Sequence, residues 1–171
     1  MNCARATALC LAIGCGSEST GPAKPTSAQR AETAASVDKA GGYVDYRLGR
    51  HIDEVIKLGL PSSKQYMPDG LVLSVYRKDN IKEKIGEVTF TNIMLYFGRT
   101  EELQMFRFSE AASAADCETV RTKLSDMYGM ADPIEKGAYR WLGHELYATW
   151  KHSSVRGTST CSVEFRATKM R

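Results

Sequence analysis

Apolar side chains alternate with polar ones along several segments of this chain, and this pattern constrains the fold more than any other feature. A period of two directs one side of a strand to a core and the other side to solvent. Within Glu87–Phe97 the apolar side changes between Phe90 and Ile93, so we expect a β-bulge near Thr91-Asn92. The predicted strands are Leu71–Tyr76, Glu87–Phe97, Leu103–Phe108, Tyr139–Leu142, Glu145–Trp150 and Thr160–Phe165.

Two segments carry apolar residues at helical spacing instead. Arg50–Leu58 is predicted as a helix that ends at Gly59. A longer helix begins at a cap, either Ser113 or Asp116, and ends at Gly129. Its apolar stripe consists of Cys117, Val120, Leu124, Met127 and Tyr128. The whole pattern predicts an α+β fold with an antiparallel sheet covered by two helices, arranged as two helix-then-strands units.

The first residues have the layout of an export signal. Arg5 gives a positive start, Ala6–Gly14 forms a short apolar run, and a cysteine follows it. Leu11–Cys15 resembles the lipobox of bacterial lipoproteins, which implies removal of Met1–Gly14 and attachment of acyl chains such as palmitate to Cys15. A plain secretory signal, or an ordinary N-terminal core segment with a buried Cys15, are the alternatives. No later stretch is long and apolar enough to cross a membrane, so attachment would depend on this end.

A segment poor in large apolar residues follows the candidate lipidation site. Gly16–Gly42 is rich in Ser, Thr, Ala, Gly and Pro, and such a composition buries too little surface to offset its ordering entropy. We therefore expect residues 15–42 to be the lipidated Cys15 with a flexible tether, and residues 43–171 to form one α+β domain. A short helix over Ser27–Ala40 is the alternative for part of the tether.

The cysteine count becomes even once the signal is removed. Cys3 and Cys10 leave with it, Cys15 carries lipid, and Cys117 and Cys161 remain. In an oxidising compartment this pair predicts a disulfide between the longer helix and the last strand. Two buried free thiols and a catalytic thiolate are the other possibilities. Since the neighbours of Cys117 are acidic, they would not favour a thiolate.

The charge balance does not favour a nucleic-acid partner. Loss of Arg5 with the signal lowers the formal net charge from +3 to +2. Acidic residues interrupt the one lysine-rich stretch, which contains Lys78, Lys82 and Lys84. We interpret this stretch as a solvated turn and expect no nucleic-acid binding.

Two stretches resemble a known family of envelope proteins. Gly49–Pro61 is similar to the Gly…Val…Leu-Gly-x-Pro helix of small Gram-negative lipoproteins of the SmpA/OmlA assembly type. Ile93–Phe97 and Leu103–Phe108 are similar to the strand pair that follows it there. The resemblance extends to the architecture of β-lactamase-inhibitor-protein-like domains. It implies a module that binds proteins and is not an enzyme.

The sequence offers no familiar catalytic or metal-binding arrangement. His144 and His152 would lie about 26 Å apart on a straight strand, too far for one metal ion. His51 and Glu54 share a helix face without an evident third ligand. Glu101-Glu102 would point to opposite sides of a strand. No nucleophile elbow, phosphate-binding loop or dinucleotide fingerprint occurs, so we expect no catalytic residue, metal or cofactor.

Aromatic residues supply the candidate binding surface. Tyr and Trp combine a large contact area with a polar tip, which suits protein interfaces. The alternative is that these side chains fill the core between sheet and helices. Arg107 would join the surface if Met105 also points outward. The binding candidates are Arg107, Tyr139, Trp141 and Tyr147.

These features together predict a lipid-anchored protein of the bacterial envelope, most simply on the outer membrane and facing the periplasm. Gly16 follows Cys15 where a signal for retention at the inner membrane would usually place Asp. The expected role is binding of another envelope protein, for assembly or structure. An inhibitor or immunity protein that binds a secreted enzyme is the main alternative, and an enzyme of unfamiliar type is the last.

Overall fold

A computed structural model describes residues 23–55, 63–68 and 72–169. Its strands are all paired antiparallel, either in a two-stranded sheet (β1 and β2) or in an eight-stranded one. The elements are α1 Ser27–Ala40, β1 Gly42–Tyr43, β2 Tyr46–Arg47, α2 Ile52–Val55, β3 Ser63–Tyr66, β4 Val72–Ile85, β5 Val88–Phe97, β6 Leu103–Ala111, α3 Ala114–Tyr128, β7 Asp132–Glu135, β8 Ala138–Leu142, β9 Leu146–Val155 and β10 Thr158–Ala167. The predicted α+β class is confirmed.

The strand order of the large sheet is symmetric about its centre. It runs β3-β4-β5-β6-β10-β9-β8-β7, so each half is a four-stranded meander and the last strands of the two halves pair with each other. A helix precedes each meander, α2 the first and α3 the second. The predicted order of helix, strands, helix, strands is therefore present in the chain.

One side of this sheet, the inner face, carries the main core. Every second residue of the central strands points to it, as the period of two requires. The helices α1 and α3 both lie against this face. Its fully buried side chains from the strands include Phe90, Ile93, Leu95, Phe106, Phe108, Trp141, Ala148, Val163 and Phe165.

The longer predicted helix is confirmed as α3. Its cap is Ser113, whose Oγ accepts a hydrogen bond from the Asp116 N–H at 3.1 Å. Four residues of the predicted stripe are buried, whereas Met127 is 40% exposed.

The predicted disulfide is also present: Cys117 and Cys161 are bonded, with Cα atoms 5.4 Å apart. Because the two cysteines are bonded to each other, the free-thiol and thiolate alternatives are wrong. Both residues are fully buried.

The expected flexible tether is wrong from Ser27 onward, because Ser27–Ala40 is a helix that packs on the domain. Thr26 and Gln29 form a capping box at its start. Val37 is fully buried, and Thr33 donates its hydroxyl hydrogen to the Met130 carbonyl at 3.1 Å. The folded part therefore begins before residue 43, and the short-helix alternative is correct.

Several other boundaries differ from the prediction. The lysine-rich stretch is not a turn, since β4 continues to Ile85 and the chain turns at Gly86. Gly86 has a positive φ, and a side chain there would strike Thr119 of α3. The predicted helix Arg50–Leu58 is present as Ile52–Val55. Arg50 and His51 precede it and are not helical, and residues 56–58 lie outside the described residues.

The predicted bulge is confirmed by burial and by pairing. Phe90 and Ile93 both point into the main core although three positions separate them. The register between β4 and β5 shifts between Asp79 and Glu83, opposite this point.

Within the residues that the structure describes, no helix has the length and hydropathy needed to cross a membrane.

Candidate docking face

The side of the large sheet that faces away from α1 and α3, the outer face, carries two rows of side chains in register. Each row runs across six strands from β4 to β8. Neighbouring strands lie about 4.8 Å apart, so a row is about 24 Å long. The first, the arginine row, is Arg77, Met94, Arg107, Glu164, Thr149 and Arg140. The second, the aromatic row, is Val75, Tyr96, Met105, Arg166, Tyr147 and Leu142.

The two ends of these rows differ in exposure. Val75, Tyr96 and Met105 are buried in a second small core, to which Leu73 also belongs. At the other end the side chains are open, and Leu142 is 52% exposed. We call the open part, which is the outer face of β6, β10, β9 and β8, the docking face.

Arg107 and Glu164 form the central ion pair of the docking face. The Arg107 Nε donates to Glu164 Oε2 at 2.8 Å, and an Nη of Arg107 contacts the same oxygen. Burial alone would lower the pKa of Arg107, but the hydrogen bond and the charge of Glu164 outweigh it, so the pKa is raised. The positive charge of Arg107 is thus largely balanced within the protein.

Arg140 is held differently, because it stacks on an aromatic ring. Its guanidinium lies 4.9 Å from the centroid of the Tyr147 ring, a cation–π contact between neighbouring strands. The Arg140 Nε is shielded from solvent and has no hydrogen-bond partner in the described part of the chain. Tyr147 therefore fixes the orientation of this guanidinium. Asp132 lies opposite Arg140 on β7, but its carboxylate binds Arg30, and no carboxylate of the described residues forms an ion pair with Arg140.

A cavity of about 370 Å³ opens beside these residues. Two ion pairs border this cavity. The first joins Arg107 of β6 to Glu164 of β10, and the second joins Lys151 of β9 to Glu135 of β7. In the second pair the Lys151 Nζ donates to Glu135 Oε1 at 2.6 Å. The other residues that line the cavity are Ile134, Ala138, Thr149 and Ser162. The cavity offers hydroxyl groups and an apolar wall between two ion pairs.

The four binding candidates from the sequence do not form one surface. Arg107 and Tyr147 lie on the docking face, and Met105 shares the side of Arg107 as expected. Trp141 is fully buried on the inner face and donates its Nε1–H to the Gly129 carbonyl at 2.8 Å. It belongs to the core, so its proposed role in binding is wrong.

Tyr139 is also on the inner face. It packs against Trp150, with ring centroids 5.8 Å apart, and the Arg121 guanidinium covers it at 4.8 Å from the ring centroid. Trp141 is therefore a core residue, whereas Tyr139 is partly buried against the edge of the core. Cys15, the candidate lipidation site, lies outside the described residues.

Sequence reasoning missed Arg140 and Arg166. A signal for Arg140 was available, because a residue next to Trp141 in a strand points to the opposite side. Its place beside Tyr147 depends on the pairing of β8 with β9, which puts Arg140 opposite Thr149 and Leu142 opposite Tyr147. Arg166 also faces Tyr147, through the pairing of β10 with β9. These positions follow from strand register.

Within the described ranges, no group of three or more His, Cys, Asp or Glu side chains is placed to hold a metal ion. The His51 Nδ1 lies 3.4 Å from Asp53 Oδ2, and the His51 Nε2 lies 3.4 Å from Glu101 Oε2, at an exposed position.

No family model, curated protein or solved structure matches this chain.

Proposed function

We propose that this chain is a lipid-anchored protein of the bacterial envelope that binds another envelope protein through its docking face. The observation that carries the proposal is the composition of the two rows. Of the eight row positions on the four strands of the docking face, three are Arg, one is Tyr and one is Met. Arg, Tyr and Met are enriched in the cores of protein interfaces, whereas Lys, Glu and Ser are depleted there.

The proposed anchor lies a short way before the first described helix in the sequence. Ser27, the first residue of α1, follows Cys15 by 12 positions. Fully extended, that length of chain spans about 40 Å. A domain attached through Cys15 would thus stay close to the membrane surface, within reach of other envelope proteins.

Site-specific photo-crosslinking in cells tests the binding role. A photoreactive residue at Leu142, exposed on the docking face, is expected to give a discrete protein adduct. The matched control is the same residue at Lys123, which is exposed on α3 on the opposite side of the sheet. Equal adducts from both positions, or none from Leu142, would contradict docking through this face.

Mass spectrometry of the mature protein tests the anchor separately. We expect acyl mass on Cys15 and no peptide that starts at Met1. Cys15→Ala is expected to move the protein from the membrane fraction to the soluble fraction of the envelope. A mature product that retains Met1 would show that the anchor proposal is wrong.

A further inference from the structure

We propose that the docking face binds an acidic protein surface, and that Arg140 is the main contact for a partner carboxylate. This inference rests on the proposed function and adds the chemistry of the partner. It follows from the charges of the docking face, from the way Arg140 is held and from the apolar residues around it.

The docking face has a surplus of positive charge. Its outward positions on β6, β10, β9 and β8 hold one acidic residue, Glu164, against four basic ones. The neighbouring strand β7 adds Glu135 and Asp132, and Asp132 lies opposite Arg140 in the ladder. The basic residues are Arg107, Arg140, Lys151 and Arg166. A partner whose potential complements this surface carries carboxylates at the contact.

The three acidic residues are already engaged. Glu164 binds Arg107, Glu135 binds Lys151, and Asp132 binds Arg30 of α1. Glu164 is two strands away from Arg140, with Thr149 between them, and two strand spacings are about 10 Å. Arg140 forms no ion pair with a carboxylate of the described residues, and its Nε has no hydrogen-bond partner there, so its donors remain for a group from outside the described chain.

Stacking on Tyr147 prepares Arg140 for such a group. The planar guanidinium presents donors in a fixed fork that matches a carboxylate with two parallel hydrogen bonds. The cation–π contact over the Tyr147 ring restricts its rotamers before a partner arrives. Less conformational entropy is then lost on binding, and stacked Arg–Tyr pairs are typical of the residues that dominate interface energetics.

The surroundings favour a protein over a polyanion. Leu142 and Tyr147 of the aromatic row lie beside Arg140, and exposed Ile134 borders the adjacent cavity. Apolar and aromatic groups of this kind gain from contact with side chains, whereas nucleic acids are bound by concentrated basic surfaces. We therefore infer that the occupant is a protein segment that combines Asp or Glu with apolar residues.

Fluorescence anisotropy of the full chain with a labelled peptide tests this proposal. The probe alternates Glu with Leu, and its matched control alternates Gln with Leu. We expect the Glu peptide to bind more tightly, and added salt to weaken its binding. Arg140→Ala is expected to lower the affinity for the Glu peptide about tenfold.

The chain supplies a matched control in Arg121→Ala. Arg121 stacks on Tyr139 as Arg140 stacks on Tyr147, but it lies on the other side of the sheet and binds Glu118. We expect Arg121→Ala to change the affinity by less than about twofold. Arg140→Gln keeps much of the side-chain volume, and it replaces Arg140→Ala if circular dichroism shows that the latter is unfolded.

The proposal would be overturned by equal binding of the Glu and Gln peptides or by equal loss of affinity in the Arg140 and Arg121 variants. Binding of phosphatidylglycerol vesicles that depends on Arg140, without binding of the Glu peptide, would also overturn it. The crosslink from Leu142 keeps the two proposals apart. An adduct that forms equally well with Arg140→Ala would support the docking face and refute the acidic partner. Binding of the Glu peptide without any adduct from Leu142 would support the recognition of acidic groups and contradict docking of an envelope protein through this face.

Discussion

At the scale of single residues, Glu110 shows how one carboxylate supports an irregular strand. It accepts hydrogen bonds from the Thr91 N–H at 2.9 Å and the Thr91 hydroxyl at 2.6 Å. The regular pairing of β5 with β6 starts only at Ile93, so the Thr91 N–H has no ladder partner on β6. Glu110 takes the place of that partner beside the bulge.

The pKa of Glu110 gives a testable pH dependence. The hydrogen bond from the Thr91 side chain is the main cause that lowers this pKa, and burial opposes it. A lowered pKa stabilises the folded state above the usual carboxyl value of 4.5, and this contribution is lost as the pH falls through the folded pKa. Glu110→Gln is therefore expected to lower the free energy of unfolding at pH 7 by about 1 kcal/mol.

Urea unfolding at pH 7 and at pH 3 measures this effect. The difference between Glu110→Gln and the unchanged protein should shrink at the lower pH, because a falling pH moves Glu110 towards its protonated form. Glu54→Gln, at an exposed position of α2, serves as the control and should have little effect at either pH. A difference that is the same at both pH values would contradict the assigned role.

At the scale of elements, α1 is held mainly by polar contacts. Only Thr33, Ala34 and Val37 of this helix are buried. Asp38 near its end accepts hydrogen bonds from the N–H groups of His144 at 2.8 Å and Glu145 at 3.0 Å. These two contacts attach α1 to the turn between β8 and β9, so the helix and the hairpin support each other.

Removing that carboxylate should loosen both elements. Asp38→Ala leaves two N–H groups of the turn without their acceptor, and we expect a loss of about 2 kcal/mol in the free energy of unfolding. Hydrogen–deuterium exchange should become faster in α1 and in the β8–β9 turn. Glu32→Ala, at an exposed position of α1, is the matched control. Unchanged exchange in the turn would show that Asp38 does not join the two elements.

The same contacts explain which elements the sequence could predict. α3 buries four residues of a regular stripe, and the central strands alternate clearly, so both were predicted from spacing alone. α1 has a narrow apolar stripe, and its partners Asp132, His144 and Glu145 are about a hundred positions away. Long-range polar contacts leave no periodic signal in a sequence. For the same reason the arginine row was missed, since it depends on the register of six strands.

At the scale of the whole molecule, the disulfide joins the helix layer to the middle of the sheet. Cys161 lies on β10, one of the two strands at which the halves of the sheet meet. Trp150 of the adjacent β9 donates its Nε1–H to the Cys117 carbonyl at 2.9 Å, so a hydrogen bond reinforces the covalent link. Loss of the disulfide should therefore weaken the attachment of α3 to the sheet as a whole.

The double substitution of Cys117→Ala and Cys161→Ala tests how much this link contributes. The two residues are 44 positions apart, and closure of a loop of that length stabilises by about 4 kcal/mol on the chain-entropy model. We expect guanidinium unfolding to show a loss of this size. Reductant should destabilise the unchanged protein to a similar degree and leave the double variant unaffected. A variant as stable as the parent, or alkylation of both cysteines in the native protein without reductant, would contradict a structural role for the bond.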